Sequence, residues 1–330
     1  MTSSTETSAS APGAGLAPRI PDFFIAGHHK CGTTALYEML RPHPQIFMPE
    51  IKEPWFLASD LSLRFEGETW LPSTLEEYLS LFAAAGPDQR AGEATPSYLL
   101  SHAAAANIAE LAPDARIIAI LREPAAFLRS LHLQSVRNHA ETEGDFAKAL
   151  ALEERRRRGE AIPPHAARPQ ELLYSEHVRY VEQLERYRAV FAPEQLLVLI
   201  YDDFRADNEG TVRRVLRFLD VDDSVAIDVA EANPTVGVRS VRMYEMVRSL
   251  YLGRGPVGGA AKAAIKTLTP QRLRRDGMVA LRRNVLYGSP PTADERVMRE
   301  LRVRFRGEVE ALGEHLGRDL IALWGYDQLD

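Results

Sequence analysis

One cysteine stands among 330 residues. Cys31 therefore excludes an intramolecular disulfide, and no cysteine cluster exists for a structural zinc or an iron–sulfur centre. A reducing compartment, the cytoplasm, is the expected location. Long apolar runs are missing as well: the best are short ones such as Ile117 to Leu121, well under the roughly 18 residues that spanning a bilayer demands. Met1 to Pro18 has neither the basic start nor the apolar stretch of a secretory signal, and its Ser, Thr, Ala, Gly and Pro content reads as a disordered tail on a soluble protein. Nor is there surplus positive charge. Lys plus Arg number 40 against 46 Asp plus Glu, a net charge of −6, which argues against a nucleic-acid binder relying on bulk charge. What is present is an ordinary globular composition, 45% hydrophobic and 26% charged, enough for a sizeable core.

Three short apolar runs carry the fold signal. Asp22 to Gly27 (DFFIAG), Arg116 to Leu121 (RIIAIL) and Gln195 to Tyr201 (QLLVLIY) are each followed by polar residues and then a helical pattern. Strands alternating with helices imply a parallel sheet, and continuously apolar strands imply a sheet covered on both faces. Further helices are expected over Leu172 to Phe191, Asn208 to Leu219 and Asp294 to Leu316. No internal repeat or linker interrupts the pattern, so residues 19–330 read as one α/β domain with ligands gathered at the C-terminal ends of the strands.

The first loop is the most informative segment. Gly27-His28-His29-Lys30-Cys31-Gly32-Thr33-Thr34 places two glycines five apart, then two hydroxyl residues at a helix N-terminus. Such a loop aims backbone N–H groups and the helix dipole at an anion, with Lys30 adding charge and Thr33 and Thr34 adding donors. It approaches the GxxxxGK[ST] pattern, but Thr33 stands where the lysine belongs, which disfavours a standard nucleoside-triphosphatase. A plain strand–turn–helix junction capped by threonine is the alternative.

A second anion site is suggested where Arg116 to Leu121 ends in Arg122-Glu123-Pro124. Pro124 suits the first turn of a helix that carries Ser130 eight residues beyond Arg122. Arginine holds phosphate bidentately and serine adds a hydrogen bond, so the two sites together imply a ligand with two separated phosphates. The blander reading is a surface ion pair of Arg122 with Glu123 or Asp114.

With these residues in view the chain resembles the sulfotransferases that use 3′-phosphoadenosine 5′-phosphosulfate (PAPS) as donor and release 3′-phosphoadenosine 5′-phosphate (PAP). In that family a GTT/GTS loop binds the 5′-phosphosulfate, matching Lys30, Cys31, Gly32, Thr33 and Thr34, and an Arg–x–Pro strand end with a serine eight residues on binds the 3′-phosphate, matching Arg122 and Ser130. Lys52-Glu53-Pro54-Trp55-Phe56 and Gly92-Glu93-Ala94-Thr95-Pro96-Ser97-Tyr98 resemble two further segments of the glycan-type and bacterial branch. Arg239 and Ser240 fall where the family has a loop over the nucleotide. The likeness runs from about Asp22 to Ser240 and implies the P-loop NTPase-like sulfotransferase fold. It also implies a mechanism: Lys30 and Thr33 stabilise the leaving phosphate, and Glu53 is the base, with Pro54, Trp55 and Phe56 as a desolvating wall that would raise its pKa. Where some relatives carry a catalytic lysine this chain has Ala94, so Lys52 is the expected substitute. His28, His29, His132 and His139 are rival bases, and no metal is expected.

The acceptor is less legible. Gly253 to Arg283 holds eight Lys and Arg against Asp276, a local charge of +7, with apolar residues interleaved. It would suit a lid over an anionic acceptor, a peripheral membrane contact, or a solvated helical face. Glu153-Glu154 followed by Arg155 to Arg158 reads as exposed helical ion pairs. The Ala- and Arg-rich composition has a bacterial character. The expected activity is sulfuryl transfer to a hydroxyl of a carbohydrate, glycolipid or small metabolite, with no nucleic-acid partner. The rivals are a P-loop small-molecule kinase and a non-catalytic PAP-binding module.

Overall fold

A computed structural model describes residues 19–61, 71–229 and 291–329, with the backbone of 237–238 and 287–288. Met1 to Pro18, Arg239, Ser240 and the basic segment Gly253 to Arg283 lie outside the described residues.

The elements run β1 (Phe23–Gly27), α1 (Thr33–Leu40), β2 (Ile46–Phe47), α2 (Leu75–Ser80), β3 (Arg90–Ala94), α3 (Ala104–Leu111), β4 (Arg116–Leu121), α4 (Pro124–Arg137), α5 (Phe146–Ala151), α6 (Glu153–Arg157), α7 (Tyr180–Arg188), β5 (Leu196–Ile200), α8 (Tyr201–Ala206) and α9 (Asn208–Phe218). Then come β6 (Gly237–Val238), β7 (Tyr287–Gly288), α10 (Glu295–Leu316) and α11 (Leu320–Leu323). β6 and β7 form a separate antiparallel pair.

The five longer-range strands make one all-parallel sheet in the order β2-β3-β1-β4-β5. Every residue of β1 is buried, as are Ile117 through Leu121 of β4, which is why both read as unbroken apolar runs: helices cover the two faces. β3 has no such signature. Its sequence, Arg-Ala-Gly-Glu-Ala, joins the sheet centre because Gly92 leaves room for the ring of Phe23, and a Cβ there would come within 2.1 Å of that ring.

The expected strands and the helices α9 and α10 stand close to their sequence bounds. Leu172 to Phe191 does not form one helix: 3-10 turns occupy Pro169–Leu172 and Tyr174–Val178, and the α-helix starts only at Tyr180. Side chains satisfy the broken turns. His177 Nε2 meets the Glu171 carbonyl at 3.0 Å, and the Gln183 amide donates to the Glu176 carbonyl at 2.8 Å. The Glu153 to Arg158 run also departs from expectation. Arg156 is buried against Glu141 at 2.8 Å, Tyr174 donates to the same carboxylate, and Glu153 is buried as well, so two of the six residues of this run are structural rather than solvated.

Candidate active site

The strand order places β1 between β3 and β4, which brings three segments that are distant in sequence to one edge of the sheet. The loop after β1 closes in a tight turn: the Cys31 N–H donates to the His28 carbonyl at 3.3 Å, Lys30 takes a left-handed backbone (φ 67°), and Gly32 at φ 92° opens α1. Gly32 is required there on two counts. Its φ disfavours any side chain, and a Cβ would press on the Phe204 ring at 3.0 Å. Thr33 is buried and Thr34 half-buried in the first turn of α1.

Arg122, one residue beyond β4, reaches this loop directly. Its Nη1 donates to the Lys30 carbonyl at 2.9 Å, its guanidinium lies 4.6 Å from the Tyr201 ring centroid, and its own carbonyl accepts from Tyr180 Oη at 2.8 Å. Glu123 is no partner for it. That carboxylate caps α4 through the N–H groups of Ala125 and Ala126 and accepts from Tyr326 Oη at 2.6 Å. Arg122 is thus turned from the surface toward the loop. Ser130 is buried two turns into α4.

The ammonium of Lys30 is lowered to about 8, first by burial and then by the charges of Arg137 and Arg122. Three cations facing one another are unfavourable alone and suit a polyanion. Arg137 escaped the sequence reading, although its spacing of seven from Ser130 puts both on one helical face, which was the available signal. Burial pushes the Cys31 thiol up to about 12, so Cys31 packs within the loop and supplies no thiolate.

Lys52 and Glu53 arrive from the other side. The Glu53 N–H donates to the Ala94 carbonyl at 3.1 Å, which docks the segment at the end of β3 beside the loop, and the Lys52 ammonium pairs with the Glu53 carboxylate. Glu53 and Trp55 both have left-handed backbones, at φ 60° and 62°. Of six such non-glycine residues among the described ones, Lys30, Glu53 and Trp55 lie in this cleft, where the fold sustains strain of about 1–3 kcal/mol each. Two residues of the expected apolar wall have packing partners of their own. Trp55 carries the Arg168 guanidinium 3.6 Å above its ring, and Phe56 stacks on Tyr78 at 4.7 Å. Burial raises the Glu93 carboxyl to about 7; it accepts from Tyr78, Thr95 and Tyr98 at the end of β3.

The rival histidines are engaged. His28 is buried, bonded to Gln183 Oε1 at 2.7 Å and held well below 6.5 by burial. His132 Nε2 meets the Glu143 carbonyl at 2.8 Å, and His139 is buried at φ 60°. His29 Nε2 sits between Glu171 Oε1 at 3.1 Å and Ser97 Oγ at 3.0 Å. Glu171, unmarked by any motif, reaches the loop because the chain breaks into 3-10 turns at that point.

Residues 20–233, which include every element of this cleft, match the family model of the sulfotransferase domain. The chain belongs to the sulfotransferase domain family. Heparan sulfate glucosamine 3-O-sulfotransferase 3A1 of Mus musculus is 29% identical to this sulfotransferase-family chain over 205 residues, covering 61% of the chain and 46% of the relative. Carbohydrate sulfotransferase 15 of Mus musculus is 26% identical over 250 residues, covering 61% and 44%. The chain spans under half the length of these curated relatives. The crystal structure of a sulfotransferase from Alicyclobacillus acidocaldarius is 28% identical, covers 77% of this chain and 99% of that one, and superposes with a TM-score of 0.58. No helix among the described residues is long and apolar enough to cross a membrane.

Proposed function

We propose that this protein transfers the sulfuryl group of PAPS to a hydroxyl of a carbohydrate or small metabolite. The observation that carries the reading is the meeting of the two anion sites: Arg122 at the end of β4 is hydrogen-bonded to the Lys30 carbonyl in the loop after β1. Lys30, Arg122 and Arg137 form a cation cluster whose mutual repulsion a bisphosphorylated nucleotide relieves. In this reading Lys30, the loop amides, Thr33 and Thr34 hold the 5′-phosphate that becomes the leaving group, while Arg122 and Ser130 hold the 3′-phosphate. Arg239 and Ser240 are assigned to the nucleotide side by resemblance alone.

Transfer needs the acceptor oxygen in line with the leaving bridge and a base for its proton. Glu53 is assigned that base, since its segment is docked beside the loop, and Lys52, paired with it, orients the carboxylate and adds charge where Ala94 supplies none. The hydroxyl proton passes to Glu53 as its oxygen bonds sulfur, and the bond from sulfur to the bridging phosphate oxygen breaks with the electron pair remaining on PAP. We read residues 19–330 as one functional unit, working without a metal in a reducing compartment such as the cytoplasm. Calorimetric titration with PAP in buffer containing EDTA, with ATP and ADP as controls, tests the reading. Micromolar or tighter PAP binding that Arg122→Ala weakens supports it, and preference for ATP overturns it.

A further inference from the structure

Nothing in the transfer mechanism requires the residue before Lys30 to be a histidine, yet the fold gives His29 an elaborate setting. Its Nε2 lies 3.1 Å from Glu171 Oε1 and 3.0 Å from Ser97 Oγ, and Ser97 Oγ itself donates to Glu171 Oε1 at 3.1 Å. Its ring centroid is 6.0 Å from that of Trp55, which carries Arg168. The His29 side chain thus ties the anion loop to the turn after β3 and to the turn at Pro169–Leu172. Lys30, the next residue, is held in its left-handed turn from the other side by Arg122.

We propose that His29 is a positioning residue that works as an imidazolium: anchored on Glu171 and Ser97, it holds the strained turn at Lys30 and sets a positive charge opposite the Glu53 carboxylate. The proposal rests on the reading of this loop as the donor site. The groups around His29 decide its charge. Burial opposes protonation most strongly, but the hydrogen bond donated to Glu171 and the charges of Glu53 and Glu171 outweigh it, with Lys52 opposing, and the His29 pKa is raised above 6.5. His28 on the same loop and His177 on the neighbouring turn add no competing charge near neutrality, since burial lowers both, His177 to about 4. Burial, the largest influence, would raise the Glu171 carboxyl, yet its bond to His29 together with the charges of His29, His177 and Arg168 outweighs this and lowers it. An imidazolium–carboxylate pair is the arrangement that accounts for both directions. It also removes His29 from the candidate bases, because a protonated ring accepts no proton.

Imidazole NMR of the full-length protein tests the charge without any acceptor. The His29 signal, assigned by its loss in His29→Gln, is expected to titrate above 6.5 in the wild type. Glu171→Gln and Glu53→Gln should each bring that midpoint down. The positioning role is read by PAP calorimetry in a Lys30→Arg background, where the loop lysine no longer titrates. There PAP affinity should weaken by about three- to tenfold as pH rises through the His29 midpoint, and Glu171→Gln should move that step to lower pH. His29→Gln, which keeps a hydrogen-bond donor without the charge, should abolish the step. A His29 midpoint at or below 6.5, or one unmoved by both carboxamide variants, overturns the proposal, as does PAP affinity that ignores the midpoint. Absence of PAP binding by the wild type strikes the donor-site reading instead, and the NMR result separates the two failures.

Discussion

PAP binding should be accompanied by proton uptake at Lys30. With its pKa held at about 8 by burial and by Arg137 and Arg122, about half of the Lys30 side chains are neutral near pH 8 in the absence of ligand. Two phosphates placed among these cations restore the charged form, so near pH 8 each PAP should take up about 0.5 proton, about 0.9 near pH 9 and about 0.1 near pH 7. The measurement is calorimetry in paired buffers of different ionisation enthalpy, where the apparent binding enthalpies differ by the proton count times the buffer difference. Linkage then fixes the affinity. If only the ammonium form binds, affinity drops roughly tenfold between about pH 7 and 9, about 1.4 kcal/mol, an upper bound because solvent and salt screen the partly exposed ammonium. Lys30→Arg carries a charge that does not titrate, and should bind PAP without the Lys30 uptake or its tenfold loss between about pH 7 and 9, leaving only the smaller step at the His29 midpoint. Tight binding with no buffer dependence near pH 8, or the same uptake in Lys30→Arg, would refute the cation-cluster argument.

Arg122→Ala should weaken PAP binding by about 1.5–3 kcal/mol through loss of a charged hydrogen-bonding group, whereas Glu53→Gln should leave PAP affinity within about twofold and lower turnover by about 10²- to 10⁴-fold, both checked by calorimetry and initial rates. Arg156→Ala strips a fully buried carboxylate, Glu141, of its partner and should cost about 3–5 kcal/mol in urea denaturation. Gly32→Ala forces a side chain into a left-handed turn against Phe204 and should lower both melting temperature and PAP affinity. Glu93, raised to about 7 by burial, binds its proton more tightly folded than unfolded; its contribution to stability is therefore full below about pH 4.5 and fades as pH rises to about 7. Glu93→Gln should flatten that decline in a pH series of thermal melts.

The proposed donor half of the cleft could be marked out from the sequence because its signals are local. A glycine-bounded loop between an apolar strand and a helix, and an arginine before a helix-starting proline, each occupy a few consecutive residues, and the chemistry follows from those residue types. Other parts were not legible for the same reason. β3 hides behind Arg90, Gly92 and Glu93, since its place in the sheet depends on the Phe23 ring fitting over a glycine nearly seventy positions away. Glu171 lay just before the expected helix Leu172 to Phe191 and carried no motif; only the 3-10 turn at Pro169–Leu172 brings its carboxylate to His29. Trp55 and Phe56, expected as a wall beside Glu53, are themselves packed by Arg168 and Tyr78, which no pattern near Lys52 to Phe56 announces.

By itself, then, the sequence determined the α/β class and marked out the two segments and the cations proposed to bind phosphate, because hydrophobic period, turn residues and charge are properties of short stretches of chain. Tertiary structure alone decided that Arg122 clasps the Lys30 turn, that Arg137 joins them, that burial raises the Glu93 carboxyl and that His29 Nε2 lies between Glu171 and Ser97. Proximity and desolvation set those properties, and both arise only when strands distant in sequence become neighbours in the sheet.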